Sequence, residues 1–490
     1  MSDIVQRRTC YVNFASHLLN RYNPNVLYQD LPWQWSLDDW RSFVDMIAGF
    51  GFNCLELWLV PRLFSPNGWD TPVGRAFVAL AEVLREQGER RGVQLQITTA
   101  LTTVGQDWHT HCPRVPEEWD ECRRIWTGWL ERLPADVVHV FPGDPGGCSR
   151  NGCTHADYID GALEVAGIVS RVRPQAQVVV GTWGTPFWGW GVIEAPPGWQ
   201  GEFLAEVQHT AWRFDAARAD AAMACLLDRL PRFPDGTGVT INLGFNGNGD
   251  PGGEDDARNW VRELAQVCPI YTWDFSLTEG ENHIAPHYRF DRLFRRRREE
   301  RDTAAYRGGI CFTMTPLLNQ LSLYESAVSF RDPDADPAQV ASTFLTSLFG
   351  SPGAELVPDL YLFETLRDWG SEVDVDLERD EYHRRMRGLA DRLRSLEPVA
   401  GGLRIHPSPE FMRDQWLFFA DLYADLSGPA PDYVGLASRY WQRVYSAYDR
   451  LPEHVDPRPR AATRRLIRHF AAMGTDLPAD TDPLPGLWVS

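Results

Sequence analysis

Residues 137–172 read VVHVFPGDPGGCSRNGCTHADYIDGALEVAGIVSRV. Residues 137–141 form a short apolar run rich in β-formers. A turn rich in glycine and proline follows, and residues 156–172 then carry apolar side chains at helical spacing. This strand–turn–helix unit decides the fold because it recurs. Apolar runs stand at 10–14, 54–59, 93–98, 137–141, 178–180, 239–243, 270–273 and 309–312. Helical patterns follow them at 37–48, 73–90, 117–130, 156–172, 213–230, 256–267, 289–306 and 321–329. Ser36, with Asp39 three residues on, marks the start of the first helix, and Gly49 and Gly51 mark its end. Alternation of this kind specifies a parallel sheet with right-handed crossovers. Eight units over residues 9 to 330 fit a closed (βα)8 TIM barrel. An open doubly wound sheet would carry a glycine-rich first turn, and Ala15-Ser16-His17-Leu18 stands there instead.

From Asp332 the pattern changes. The run Asp332-Pro333-Asp334-Ala335-Asp336-Pro337 leads into segments that are nearly all helical, at 338–349, 356–369, 379–396, 411–426, 435–448 and 461–472. The expected organisation is a catalytic barrel over 1–330, an all-helical C-terminal domain over 331–476, and an extended tail over 477–490. The composition is that of an ordinary globular chain, 43% hydrophobic and 23% charged over 490 residues.

All 48 basic residues are arginine. Without a lysine amine the chain cannot be a Schiff-base aldolase, a pyridoxal-phosphate enzyme or a P-loop nucleotidase. The net charge of −19 repels phosphate backbones and anionic lipid, so neither nucleic acid nor membrane is an expected partner. The first residues lack the apolar core of a signal peptide, and no apolar run approaches a membrane span, so a cytoplasmic location is expected. Nine scattered cysteines fit reduced thiols better than a disulfide frame. The sequence leaves oligomeric state open.

In a (βα)8 barrel the reacting groups stand at the C-terminal ends of the strands and in the loops beyond. That rule selects Asp144, in the glycine-rich turn after the fourth run, and Asp274, which follows the seventh. Two carboxylates sharing one mouth can act as acid and base, or acid and nucleophile, in glycoside cleavage. Each has a plainer reading, Asp144 as a turn former and Asp274 as a hydrogen-bonding residue at a helix start. Around them fall the expected substrate-binding residues Glu56, Trp58, Trp183, Asn242, Trp273 and Glu279. Flat indole faces suit the apolar face of a pyranose, although indoles at these places also fill loop packing.

Two other groupings carry alternative chemistry. Glu206, Gln208 and His209, with Glu56, Asp144 and Asp274, are the donor types of a metal-dependent sugar isomerase. Cys148 and Cys153, with His155 following, and the His109-Thr110-His111-Cys112 segment of the preceding loop offer ligands for structural zinc. A disulfide or free thiols account for the same cysteines.

The chain resembles the (βα)8-barrel glycoside hydrolases related to the bacterial alpha-glucuronidases and beta-N-acetylhexosaminidases. The residues that carry the likeness are Trp40 to Trp58 with Gly51-Phe52-Asn53-Cys54-Leu55-Glu56-Leu57-Trp58, the turn at 141–148, Tyr271-Thr272-Trp273-Asp274, and the run from Asn319 through Asp332-Pro333 to Gly350. The resemblance implies an acid after the fourth strand, which falls on Asp144. Hexosaminidases place two adjacent acidic residues there, whereas Pro145 follows Asp144, so substrate-assisted cleavage of an N-acetyl sugar is not implied. The expected activity is exo-acting hydrolysis of a small glycoside or oligosaccharide by two carboxylates, with no cofactor and no catalytic metal. A metal-dependent sugar isomerase or hydrolase and a non-catalytic carbohydrate-binding barrel are the alternatives.

Overall fold

The computed structural model describes residues 7–12, 35–59, 63–105, 109–142, 148, 150–182, 216–242, 261–274, 286, 288, 290–303, 305–313, 316–366, 379–432, 436 and 439. Eight strands close a parallel barrel: β1 (Arg7–Val12), β2 (Cys54–Trp58), β3 (Gln94–Ala100), β4 (Val137–Phe141), β5 (Gln177–Thr182), β6 (Gly238–Asn242), β7 (Ile270–Asp274) and β8 (Tyr306–Thr313). Each strand pairs with its neighbours in chain order, and β8 returns to β1. The TIM barrel read from the sequence is therefore the observed fold. Several strands outrun their apolar cores because polar residues at their ends are paired. Gln177 Nε2 donates to Gly236 O at 2.6 Å, and Thr182 Oγ1 donates to Thr240 O at 3.0 Å. The guanidinium of Arg7 lies 4.5 Å from the Tyr271 ring centroid, which extends β1 toward the N-terminus of its apolar run.

Closure depends on one glycine. Gly308 has φ 149°, a Cβ there would lie 2.0 Å from the Arg7 carbonyl oxygen, and the pairing register shifts between Tyr306 and Gly309. Only a residue without a side chain lets β8 approach β1 this closely.

Ten helices of the described residues matter here: α1 (Leu37–Phe50), α2 (Pro72–Arg91), α3 (Pro116–Leu130), α4 (His155–Val172), α5 (Ala216–Arg229), α6 (Phe290–Thr303), α7 (Gln320–Arg331), α8 (Pro337–Phe349), α9 (Arg379–Arg394) and α10 (Pro409–Ser427). Where a single helix over 356–369 is expected, the chain makes a short helix Val357–Leu360 and then a 3-10 segment Tyr361–Leu366. Pro358 has no amide hydrogen and occupies a first turn, so a helix restarts there. The expected helix at 461–472 and the tail lie outside the described residues, as do 256–260 and all of 435–448 except 436 and 439. Among the described residues no helix is long and apolar enough to cross a membrane.

The chain divides into two compact units. One comprises Met1–Asn13, Phe52–Phe275 and Arg298–Phe312, and the other Phe14–Gly51, Ser276–Arg297 and Thr313–Ser490. In the first, the indoles of α3 hold backbone carbonyls: Trp126 Nε1 donates to Leu101 O and Trp129 Nε1 to Leu63 O, both at 3.1 Å. In the second, α1 buries Trp40, Phe43, Val44, Met46, Ile47 and Phe50. Its C-terminal carbonyl, Phe50 O, accepts from Arg331 Nη2 at 2.9 Å, and Arg404 pairs with Asp45 at 2.7 Å. Trp416, Phe419 and Tyr423 of α10 are buried, with the rings of Tyr288 and Phe363 among their neighbours.

The expected start of α1 is realised as a reciprocal cap. Ser36 Oγ accepts from Asp39 N at 3.1 Å, and Asp39 Oδ2 accepts from Ser36 N at 2.8 Å. Ser36→Ala should lower stability by about 1 kcal/mol, with Ser36→Thr near wild type. An unchanged denaturation midpoint in the alanine variant would refute that role.

Candidate active site

Alternation along the strands puts every second side chain inside the barrel. Contacts between strands that are not neighbours identify the inner set. Trp273 of β7 lies with its ring centroid 5.4 Å from that of Tyr11 on β1 and 5.2 Å from that of His139 on β4. These rings meet across the interior. Tyr11 in turn meets Phe312 of β8 edge-on at 4.9 Å. Phe141, the last residue of β4, contacts both Trp58 at 5.7 Å and Trp273 at 6.2 Å. Trp58, Phe141 and Trp273 thus form an aromatic layer at the C-terminal end of the barrel, where such folds carry their chemistry.

A polar cluster shares this interior. Glu56, Thr98 and His139 come from the adjacent strands β2, β3 and β4 and are fully buried. Register brings them together, with Thr98 opposite His139 and Glu56 opposite Gln96, two residues before Thr98. Thr98 Oγ1 donates to Glu56 Oε1, and His139 Nδ1 lies 3.1 Å from both oxygens. Nδ1 is the ring nitrogen turned toward Glu56 and Thr98, and Nε2 faces away from the pair. Among the described residues, neither His139 Nε2 nor Glu56 Oε2 has a hydrogen-bond partner. Gly181 of β5 makes room for the ring, since a Cβ there would sit 3.0 Å from His139 Nε2. Deeper in the barrel, burial pushes the Cys54 thiol up to about 12, against the opposing pull of the Arg7 charge. This thiol stays protonated and does not serve as a nucleophile.

The strand ends are tied from outside by α4. The Tyr158 hydroxyl lies 2.8 Å from both Val140 O and Gly181 O and is shared between them. Burial raises its ionisation well above the ordinary tyrosine range, so it remains a donor.

Of the residues singled out in the sequence, Glu56, Trp58 and Trp273 meet inside the barrel. Glu56 stands in the middle of β2, one inward step before Trp58, and is paired with His139. Asn242 is the last residue of β6, with its backbone opposite Trp273, and Asp274 is the last residue of β7, opposite Cys311. The side chains of Asn242 and Asp274 lie outside the described set, as do Asp144, Trp183 and Glu279 entirely. So do Glu206, Gln208 and His209. His139 and Thr98 are the members that sequence reasoning missed. The signal for His139 is a single titratable residue inside the valine run of β4.

No protein-family model and no curated protein sequence matches the chain. Solved structures do. The chain is similar to a single-residue variant of an O-GlcNAc hydrolase from Thermobaculum terrenum, at 13% identity and a TM-score of 0.55, with 96% of this chain and 95% of that one covered. It is also similar to a GH138 enzyme targeting pectin rhamnogalacturonan II, at 11% identity and a TM-score of 0.50, with 95% of this chain and 64% of that longer chain covered. At these identities the likeness is one of fold. It agrees with the (βα)8 architecture of sugar hydrolases that the sequence resemblance implies.

Proposed function

We propose that the protein is a glycoside hydrolase acting on a small glycoside or oligosaccharide through two carboxylates, Asp144 and Asp274. One observation carries this reading. The chain closes a (βα)8 barrel whose C-terminal end is walled by Trp58, Phe141 and Trp273, and it puts an acidic residue at or just past two of the strand ends. Asp274 closes β7, and Asp144 comes three residues after Phe141, the end of β4. The two fold neighbours support it, since both are described as acting on sugars, one as an O-GlcNAc hydrolase.

Asp144 would protonate the leaving oxygen, and Asp274 would act as base or nucleophile. A carboxyl separation of about 5–5.5 Å gives retention, and about 6.5–9.5 Å gives inversion. Because Pro145 follows Asp144, the reading excludes a mechanism that needs a second acid directly after the first. Trp183, Asn242 and Glu279 would complete the sugar pocket, and the attack would be exo. The test is a panel of aryl glycosides with the product anomer read by NMR at early times. Hydrolysis of at least one member with a single initial anomer is the expected result. Sugar binding without turnover across the panel would overturn it in favour of a carbohydrate-binding barrel.

A further inference from the structure

Three of the nine cysteines gather at one point of the barrel unit. Cys112 lies between β3 and α3, just after a small antiparallel pairing of Thr103–Val104 with His109–Thr110. Cys148 and Cys153 lie between β4 and α4. All three are buried, all are free thiols, and their sulfur atoms lie within 4.8 Å of one another. Cys112 Sγ and Cys153 Sγ are 3.5 Å apart, far beyond a disulfide bond of about 2.05 Å. A tetrahedral zinc ion with Zn–S bonds of about 2.3 Å holds its sulfurs about 3.8 Å apart. The Cys112–Cys153 separation is close to that of two ligands on one ion.

The surroundings suit a thiolate–metal centre. Asn151 has φ 53° and Gly152 φ 68°, so the chain turns in the left-handed region just before Cys153. Asn151 Nδ2 donates to Cys112 Sγ at 3.4 Å. Two arginines flank the cluster, each already paired with a carboxylate. Arg114 reaches Asn151 O at 3.0 Å and Asp157 at 2.7 Å. Arg150 reaches Thr110 O at 2.9 Å and Glu118 at 3.0 Å, and Glu118 accepts from the Cys112 amide at 2.6 Å.

We propose that Cys112, Cys148 and Cys153 bind one zinc ion as thiolates, a structural clip that joins the β3–α3 loop to the β4–α4 loop. Binding releases the three thiol protons to solvent, and no electron is transferred. Among the described residues no fourth His, Cys, Asp or Glu donor joins the three. Cys148 comes four residues after Asp144 in the chain, so the clip fixes the far end of the segment that carries it. The inference stands on sulfur geometry and does not depend on the glycosidase reading.

Zinc is measured by elemental analysis on the full chain purified in reducing buffer without chelator. About one equivalent per chain is expected. After removal of zinc by chelation, cobalt(II) should give thiolate-to-cobalt charge-transfer absorption and the intense visible bands of a tetrahedral site. Cys112→Ser, Cys148→Ser and Cys153→Ser should each lose these bands, whereas Cys225→Ser and Cys268→Ser should keep them. Wild-type protein gives a second readout that needs no variant. Alkylation mapped by mass spectrometry should label Cys112, Cys148 and Cys153 faster after chelation than before. Protein that holds no zinc and takes up no cobalt, or that shows one alkylation pattern with and without chelator, overturns the proposal.

Discussion

Asp144→Asn should lower kcat by about 10²–10⁴-fold on a glycoside with an alkyl leaving group, the range that general-acid catalysis contributes. The amide is nearly isosteric and cannot release a proton to the departing oxygen. An aryl leaving group of low pKa departs without that help, so the same variant should retain much more of its activity on a nitrophenyl glycoside. The contrast between the two substrates is the signature of a lost acid. A misfolded variant would lose both equally. The pH profile should change too, with the limb that reports the protonated acid disappearing while KM stays near wild type. Asp274→Asn should fall on both substrates alike, because a base or nucleophile is needed whatever the leaving group. Equal kcat for wild type and Asp144→Asn on the alkyl glycoside would remove Asp144 from the mechanism.

The barrel was legible because its repeat is written in residue type. Each run of β-branched residues is followed by a turn and an amphipathic helix, and strands such as Val137–Phe141 and Ile270–Asp274 fall on their apolar runs to within a residue. Caps were legible for the same local reason, as Ser36 and Asp39 show. The inner polar cluster was not. Glu56, Thr98 and His139 are separated by 42 and 41 residues, and they meet only through the register of three strands. Glu56 could be read as a strand-end residue, yet it stands one inward step short of the end and faces His139. Two tryptophans of α3 have a similar explanation. Trp126 and Trp129 look like sugar platforms by type, but their indole nitrogens hold backbone carbonyls in the helix layer. The cysteines are an intermediate case. Spacing made Cys148 and Cys153 a metal candidate and flagged the segment ending at Cys112 as a neighbour, while the choice among ion, disulfide and free thiols required the sulfur separations.

The buried pair makes the second large prediction. Glu56→Ala should destabilise the barrel by about 3–5 kcal/mol, the cost of removing one partner from a buried, hydrogen-bonded pair. The loss has two sources. It strips His139 Nδ1 and Thr98 Oγ1 of their partner where water has no access, and it opens a void beside the Tyr11–Trp273 contact. Glu56→Gln keeps an oxygen in the same place and should cost much less. Glu56→Leu combined with His139→Leu should recover much of the loss, because two apolar groups of similar volume leave no orphaned polar atom. A double-mutant cycle on denaturation midpoints measures the coupling. If Glu56→Ala and Glu56→Gln unfold at the wild-type midpoint, the pair contributes nothing to the fold. Its two buried atoms without a partner among the described residues, His139 Nε2 and Glu56 Oε2, would then have to be explained by what enters the barrel from above.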